Sequence, residues 1–190
     1  IIDEGLSIMR RKRFEQNVQG KTFFVGTMCS GTDVCVDVLA ACLKTAGGKV
    51  AHMFACEINR VKQRWIEERS PPPKYLFDDV FQFVSNKAWD KRSGCCHVIP
   101  ATDIVYMGLS CKDVSHLNFN SKMARSCVRD ATLRTGGTLA GGLAYIRRSR
   151  PRVFFLECGC FGRLRQGYRS QQLGGALWHP GQPGLLLGVG

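Results

Sequence analysis

Four short runs in this chain are apolar almost from end to end: KTFFVGT at 21–27, KVAHMFACE at 49–57, DIVYMGL at 103–109 and RVFFLE at 152–157. A strand with water on one face alternates apolar and polar residues, whereas a run apolar throughout must be covered on both faces. Between the first two runs lies VCVDVLAACLKTA, whose apolar positions recur at helical spacing and which Gly47-Gly48 closes. NRVKQRWIEER (59–69) reads as a charged helix and SPPP as a break, followed by KYLF as a short strand and DDVFQFV as a turn or helix. TLAGGLAYIRRSR (138–150) reads as a helix stopped by Pro151. Covered strands alternating with helices predict an α/β fold with a mainly parallel sheet and helices on both faces. At 190 residues one such domain is expected. It takes in residues 21–160, after a basic lead-in at 1–20 that carries RRKR and reads as a solvated arm. Residues 161–190 read as an irregular, Gly-rich tail, in a stretch with no Asp or Glu from 158 onward.

In an open α/β sheet, ligands bind beyond the carboxyl ends of the strands. Ser30, Gly31, Glu57, Asp79, Cys111 and Glu157 all fall at such ends. Gly31, in a turn between strand and helix, lets backbone come close to a ligand, but the turn lacks both G-x-G-x-x-G spacing and a P-loop lysine. Glu57 ends the second strand, where an acid can hold ribose hydroxyls, and Asp79 ends the third, where a carboxylate can accept from an adenine amino group. Together they describe a pocket for an adenosine-containing cofactor. Taken singly, each acid is better explained as a surface or helix-cap carboxylate.

Cys111 opens the loop after DIVYMGL, with Lys112 beside it. A free thiol titrates near ~8.5, so a working cysteine needs a cationic setting, which Lys112 and the basic segment that follows would supply. The alternative is a buried structural thiol. With Glu157 at the same mouth of the sheet, thiolate and carboxylate suit covalent addition to an electrophilic ring, the acid serving a ring nitrogen.

Lys and Arg outnumber Asp and Glu by 27 to 15, for a net charge of +12. Between Lys122 and Arg152 stand Lys122, Arg125, Arg129, Arg134, Arg147, Arg148, Arg150 and Arg152, against the single acid Asp130. Such a face concentrates polyanions, so nucleic acid is the first partner to expect, with a solvated basic surface as the alternative. The ten cysteines come with no apolar leader and no run long enough to cross a membrane, so reduced thiols, an intracellular setting and no membrane partner are expected. GCCH at 94–97 and CGC at 158–160 lack paired C-x-x-C spacing, so no metal is expected.

The order of these features resembles that of the DNA cytosine-5 methyltransferases. MCSGTD is similar to the family's F-x-G-x-G cofactor loop, with Asp33 in place of the second glycine and Cys29 in place of an aromatic. CEIN is similar to its ribose-binding acid, FDDV to its adenine-binding acid, and GLSCKDVS to the G-x-P-C-x-x-x-S nucleophile loop, with Ser110 in place of proline. TGGTLAGGLAYIRRSRPRVFFLECG runs without a gap beside the family's G-T-L helix and E-N-V strand, Cys158-Gly159 replacing Asn-Val. The resemblance spans approximately residues 22–160 and implies a Rossmann-like fold dependent on S-adenosylmethionine. It implies cofactor contacts from Cys29, Ser30, Gly31, Glu57, Ile58, Asp79, Val80, Gly108 and Leu139. It also implies that Cys111 attacks C6 of a flipped-out cytosine while Glu157 serves N3. Lys112, Ser115, Lys122, Arg125, Arg129 and Arg134 are the expected nucleic-acid contacts. A nuclear site follows if the source is eukaryotic. No Q-x-R-x-R segment, target-recognition region or returning C-terminal helix is found, so a truncated, catalytic-half fragment is expected. A non-catalytic nucleic-acid-binding remnant and a tRNA cytosine-5 methyltransferase are the alternatives.

Overall fold

The computed structural model describes residues 11–108 and 130–157. Its centre is a seven-stranded sheet in the order β5-β4-β3-β2-β1-β6-β7. The five strands β1 (Thr22–Met28), β2 (Lys49–Cys56), β3 (Tyr75–Phe77), β6 (Ile104–Gly108) and β7 (Val153–Glu157) pair in parallel. Strands β4 (Lys87–Asp90) and β5 (Cys95–Val98) extend one edge as an antiparallel hairpin. The apolar runs therefore do form a mainly parallel sheet. The chain order steps from β1 outward to β3 and then returns across β1 to β6 and β7, so the direction of winding reverses beside β1.

That reversal puts helices on both faces, as the covered strands require. On one face, α2 (Val34–Thr45) packs Val36 and Leu39 over Val25 and Ile104, while Ile66 of α3 (Arg60–Glu67) meets Ala55 and Leu76. On the other, Tyr145 and Ile146 of α4 (Leu133–Ser149) join Val80 and Phe83 of the 3₁₀ helix Val80–Ser85 over Met28, Phe54, Val105 and Met107. Phe54 lies at the middle of this larger core, its ring 5.9, 5.5 and 5.3 Å from those of Phe77, Phe83 and Tyr145. Gly26 in β1 has no side chain because the Phe54 ring fills that space.

The ends of the helices follow from local chemistry. Asn59 caps α3, its Oδ1 accepting from the backbone N–H groups of Val61 and Lys62 at 3.0 and 3.2 Å. Beyond α2, Gly47 takes a positive φ of 74° and the Gly48 N–H returns to the Leu43 carbonyl at 2.8 Å.

Three expectations change. The β4–β5 hairpin carries no apolar run: only Ala88 and Asp90 of its strand residues are buried, so periodicity does not reveal it. Helix α4 begins at Leu133, a turn before the predicted 138, because Thr135 and Gly136 already face inward. In the lead-in, residues 11–18 (α1) are helical, and Val18 packs against Leu43 and Ala46 rather than standing in water.

Candidate functional site

Register places the strand ends in one row. Met28 pairs with Cys56 and Met107, Cys56 with Phe77, and Gly108 with Glu157. The residues just beyond them therefore share one edge of the sheet. There they surround a cleft of about 580 Å³, lined by Cys29, Ser30, Gly31, Glu57, Ile58, Asp79, Val80, Gly108, Arg134 and Glu157 among others. A ligand of several hundred cubic ångströms is accommodated at such a site.

Each wall has a local cause. Gly31 sits at φ 75°, a left-handed turn that glycine adopts without strain, and turns the chain from β1 into α2. Gly108 permits the ends of β1 and β6 to close together: a Cβ there would stand 2.7 Å from the Cys29 carbonyl oxygen. Glu57, 6% exposed, accepts from the Asn59 N–H at 2.9 Å, which steers its carboxylate along the edge of the cleft. Asp79 accepts from the Phe81 N–H at 2.9 Å, so it caps the 3₁₀ helix and faces the cleft at once. The capping and ligand-binding readings of Asp79 are thus compatible.

Two curated proteins match this chain. A DNA (cytosine-5-)-methyltransferase DMT5 of Cryptococcus neoformans var. grubii is 31% identical over 151 residues, 76% of this chain and 6% of that protein. The DMT5 of Verticillium dahliae is 37% identical over 110 residues, 52% of this chain and 5% of that protein. The resemblance is to the DNA cytosine-5-methyltransferase family. The chain spans a small part, 6% and 5%, of the length of these two relatives. No family model matches it.

Of the nine cofactor contacts that the resemblance implies, all line the cleft except Leu139. Leu139 is half-buried on α4, and its neighbour Thr138 takes the lining position, its hydroxyl donating to the Arg134 carbonyl at 2.6 Å. One residue along a helix is a rotation of about 100°, enough to turn a side chain off the cleft. Arg134 reaches the cleft from the first turn of α4. Cys111, Lys112, Ser115, Lys122, Arg125 and Arg129 lie outside the described residues.

The described thiols divide by setting. Cys29 lines the cleft, but burial, reinforced by the nearby charges of Glu57 and Asp79, pushes its thiol up to about 12. Burial likewise raises Cys35 to about 12 and Cys56 well above the usual range. These three stay protonated at neutral pH and are poor nucleophiles. Cys95 and Cys96 are exposed on β5, where the Cys95 Sγ and the Ser93 hydroxyl lie 3.2 and 2.9 Å from His97 Nε2. Among the described residues, no group of three or more His, Cys, Asp or Glu is placed to hold a metal.

Cys56, Asn59, Lys62, Asp78, Phe81 and Thr138 also line the cleft, though the sequence reading singled out none of them. For Asp78 a signal was present, since it adjoins Asp79 in FDDV. It accepts from Gln63 Nε2 at 2.8 Å, which ties the end of β3 to α3.

Proposed function

We propose that this chain is the cofactor-binding and catalytic part of a DNA cytosine-5-methyltransferase, transferring the methyl group of S-adenosylmethionine to C5 of cytosine. The observation that supports this best is the single row of strand ends, which brings Glu57, Asp79, the Cys29–Gly31 turn, Gly108 and Glu157 to one cleft. The residues fit the cofactor chemically. Glu57 and Asp79 offer carboxylates to ribose hydroxyls and an adenine amino group, and the Gly31 turn lets backbone approach the remainder. When bound, S-adenosylmethionine supplies an electrophilic methyl group.

In this reading the Cys111 thiolate adds to C6 of a cytosine swung out of the duplex while Glu157 donates a proton to N3. The C5=C6 electrons become an enamine, and C5 acquires the methyl group. Loss of the C5 proton to a base expels the thiolate and restores the double bond, and return of the N3 proton to Glu157 leaves 5-methylcytosine. Arg134, which lines the cleft, would meet a backbone phosphate in this reading.

A duplex carrying 5-fluorocytosine tests this, because fluorine at C5 cannot leave as a proton does. Incubation with S-adenosylmethionine should give a covalent protein–DNA adduct that Cys111→Ala abolishes. Equal trapping by Cys111→Ala would overturn the nucleophile assignment. Preferential trapping of a tRNA would move the substrate to RNA, and steeply salt-dependent DNA binding without methyl transfer would mark a non-catalytic binder.

A further inference from the structure

Four carboxylates line the cleft, Glu57, Asp78, Asp79 and Glu157, against two cations, Lys62 and Arg134. Three of the acids already accept hydrogen bonds within the protein: Glu57 from Asn59 N–H, Asp78 from Gln63 Nε2 and Asp79 from Phe81 N–H. Lys62 differs, since among the described residues its ammonium forms no ion pair. The Asn59 cap holds its backbone N–H in the first turn of α3, and its side chain extends over the Gly31 turn. There a Cβ on Gly31 would lie 3.9 Å from the Lys62 Nζ. Its charge is felt at the neighbouring Cys29 thiol, where it opposes burial and the acids.

The sheet order gives the cleft a direction. From β3 through β2 to β1, the edge presents Asp79, then Glu57, then Cys29 to Gly31. An adenosine with its base at Asp79 and its ribose at Glu57 therefore carries its 5′ substituent toward Gly31 and Lys62. A cation at that end, in a cleft whose acids outnumber its cations four to two, selects a negatively charged group.

We propose that Lys62 is a specificity-determining residue whose ammonium pairs with the carboxylate of an amino-acid substituent on the 5′ side of a bound adenosine. The proposal rests on the adenosine-site reading above and deepens it, because it states which part of the ligand is recognised and by which residue. Free amino-acid adenosine thioethers are then preferred over the same nucleosides without the amino acid. A charge-assisted contact of this kind is worth about 10-fold in affinity, towards the lower end for a lysine that remains open to water.

Titration calorimetry on the full chain tests this with two ligands, S-adenosylhomocysteine and 5′-methylthioadenosine, which share the adenosine and the thioether but differ in the amino acid. The unaltered chain should bind S-adenosylhomocysteine more tightly. Lys62→Met should weaken it about 10-fold, leave 5′-methylthioadenosine unchanged and leave the thermal transition in place, because the side chain is exposed. Lys62→Arg should restore the preference. An equal effect of Lys62→Met on both ligands, or no effect on either, overturns the role of Lys62 while leaving the adenosine site standing. Failure of both ligands to bind the unaltered chain overturns the adenosine site and the proposal together.

Discussion

The Asp33 carboxylate lies 3.8 Å from His52 Nε2, with both side chains shut away from water. By distance this resembles an ion pair, but burial, with the Arg69 guanidinium adding to it, holds the His52 pKa down to about 4. The imidazole is therefore neutral near pH 7, and its Nε2 is 3.2 Å from the Thr27 hydroxyl. An unfolded histidine titrates near ~6.5, so between that pH and about 4 the unfolded chain takes up a proton that the folded chain refuses. Stability falls on acidification across this window, by up to about 3 kcal/mol from His52 alone. In His52→Asn, urea midpoints measured from pH 7 to 4 should decline less steeply than in the unaltered chain. An unchanged slope would refute the assignment.

Asp33 has the opposite sign. Burial raises its carboxyl pKa, opposed by hydrogen bonds from Ser30 and Thr27, so the folded state holds this proton more firmly than the unfolded one. The ionised group destabilises the fold at neutral pH, and the penalty fades as pH falls through the raised value. Asp33 also adopts φ 60°, a conformation that asparagine tolerates well. Asp33→Asn should therefore stabilise the chain at pH 7, with the gain shrinking on acidification. Thermal melts at pH 7 and pH 4 check both halves; a lower melting temperature at pH 7 would contradict the prediction.

Helix α4 touches the 3₁₀ helix backbone to backbone at Gly141. A Cβ there would collide with the Val80 carbonyl oxygen, which cannot rotate away as a side chain tip can. Gly141→Ala should cost about 1–3 kcal/mol, read as a lower denaturation midpoint. Because Val80 lines the cleft, the same substitution should also weaken adenosine-ligand binding.

Glu57 is the most enclosed acid of the cleft. Glu57→Gln keeps an acceptor for the Asn59 N–H but removes the charge. Binding of S-adenosylhomocysteine should weaken about 10-fold with little change in melting temperature, since the loss falls on charge-assisted hydrogen bonds to the ligand. A drop in stability without a drop in affinity would assign Glu57 to structure alone.

The covered strands and the edge at which the site forms are both legible in the residues. KTFFVGT, KVAHMFACE, DIVYMGL and RVFFLE each announce a covered strand, and Glu57 and Glu157 are visibly the polar residues that end two of them. These are local properties, set by which side chains can tolerate burial, and they survive without knowledge of neighbours. The β4–β5 hairpin was not legible, because its order depends on Asp90, whose carboxylate accepts from the Leu76 N–H at 2.8 Å across the sheet edge.

The sequence by itself determined the parallel α/β layout and the carboxyl edge that holds the site, because the burial pattern of each strand is written in its own residues. Only the tertiary structure decided that Thr138 rather than Leu139 faces the cleft, that Lys62 overhangs Gly31, and that Asp33 meets His52. Those choices depend on the rotation of each helix against the sheet and on the register between strands. Both are settled by packing among residues far apart in the chain.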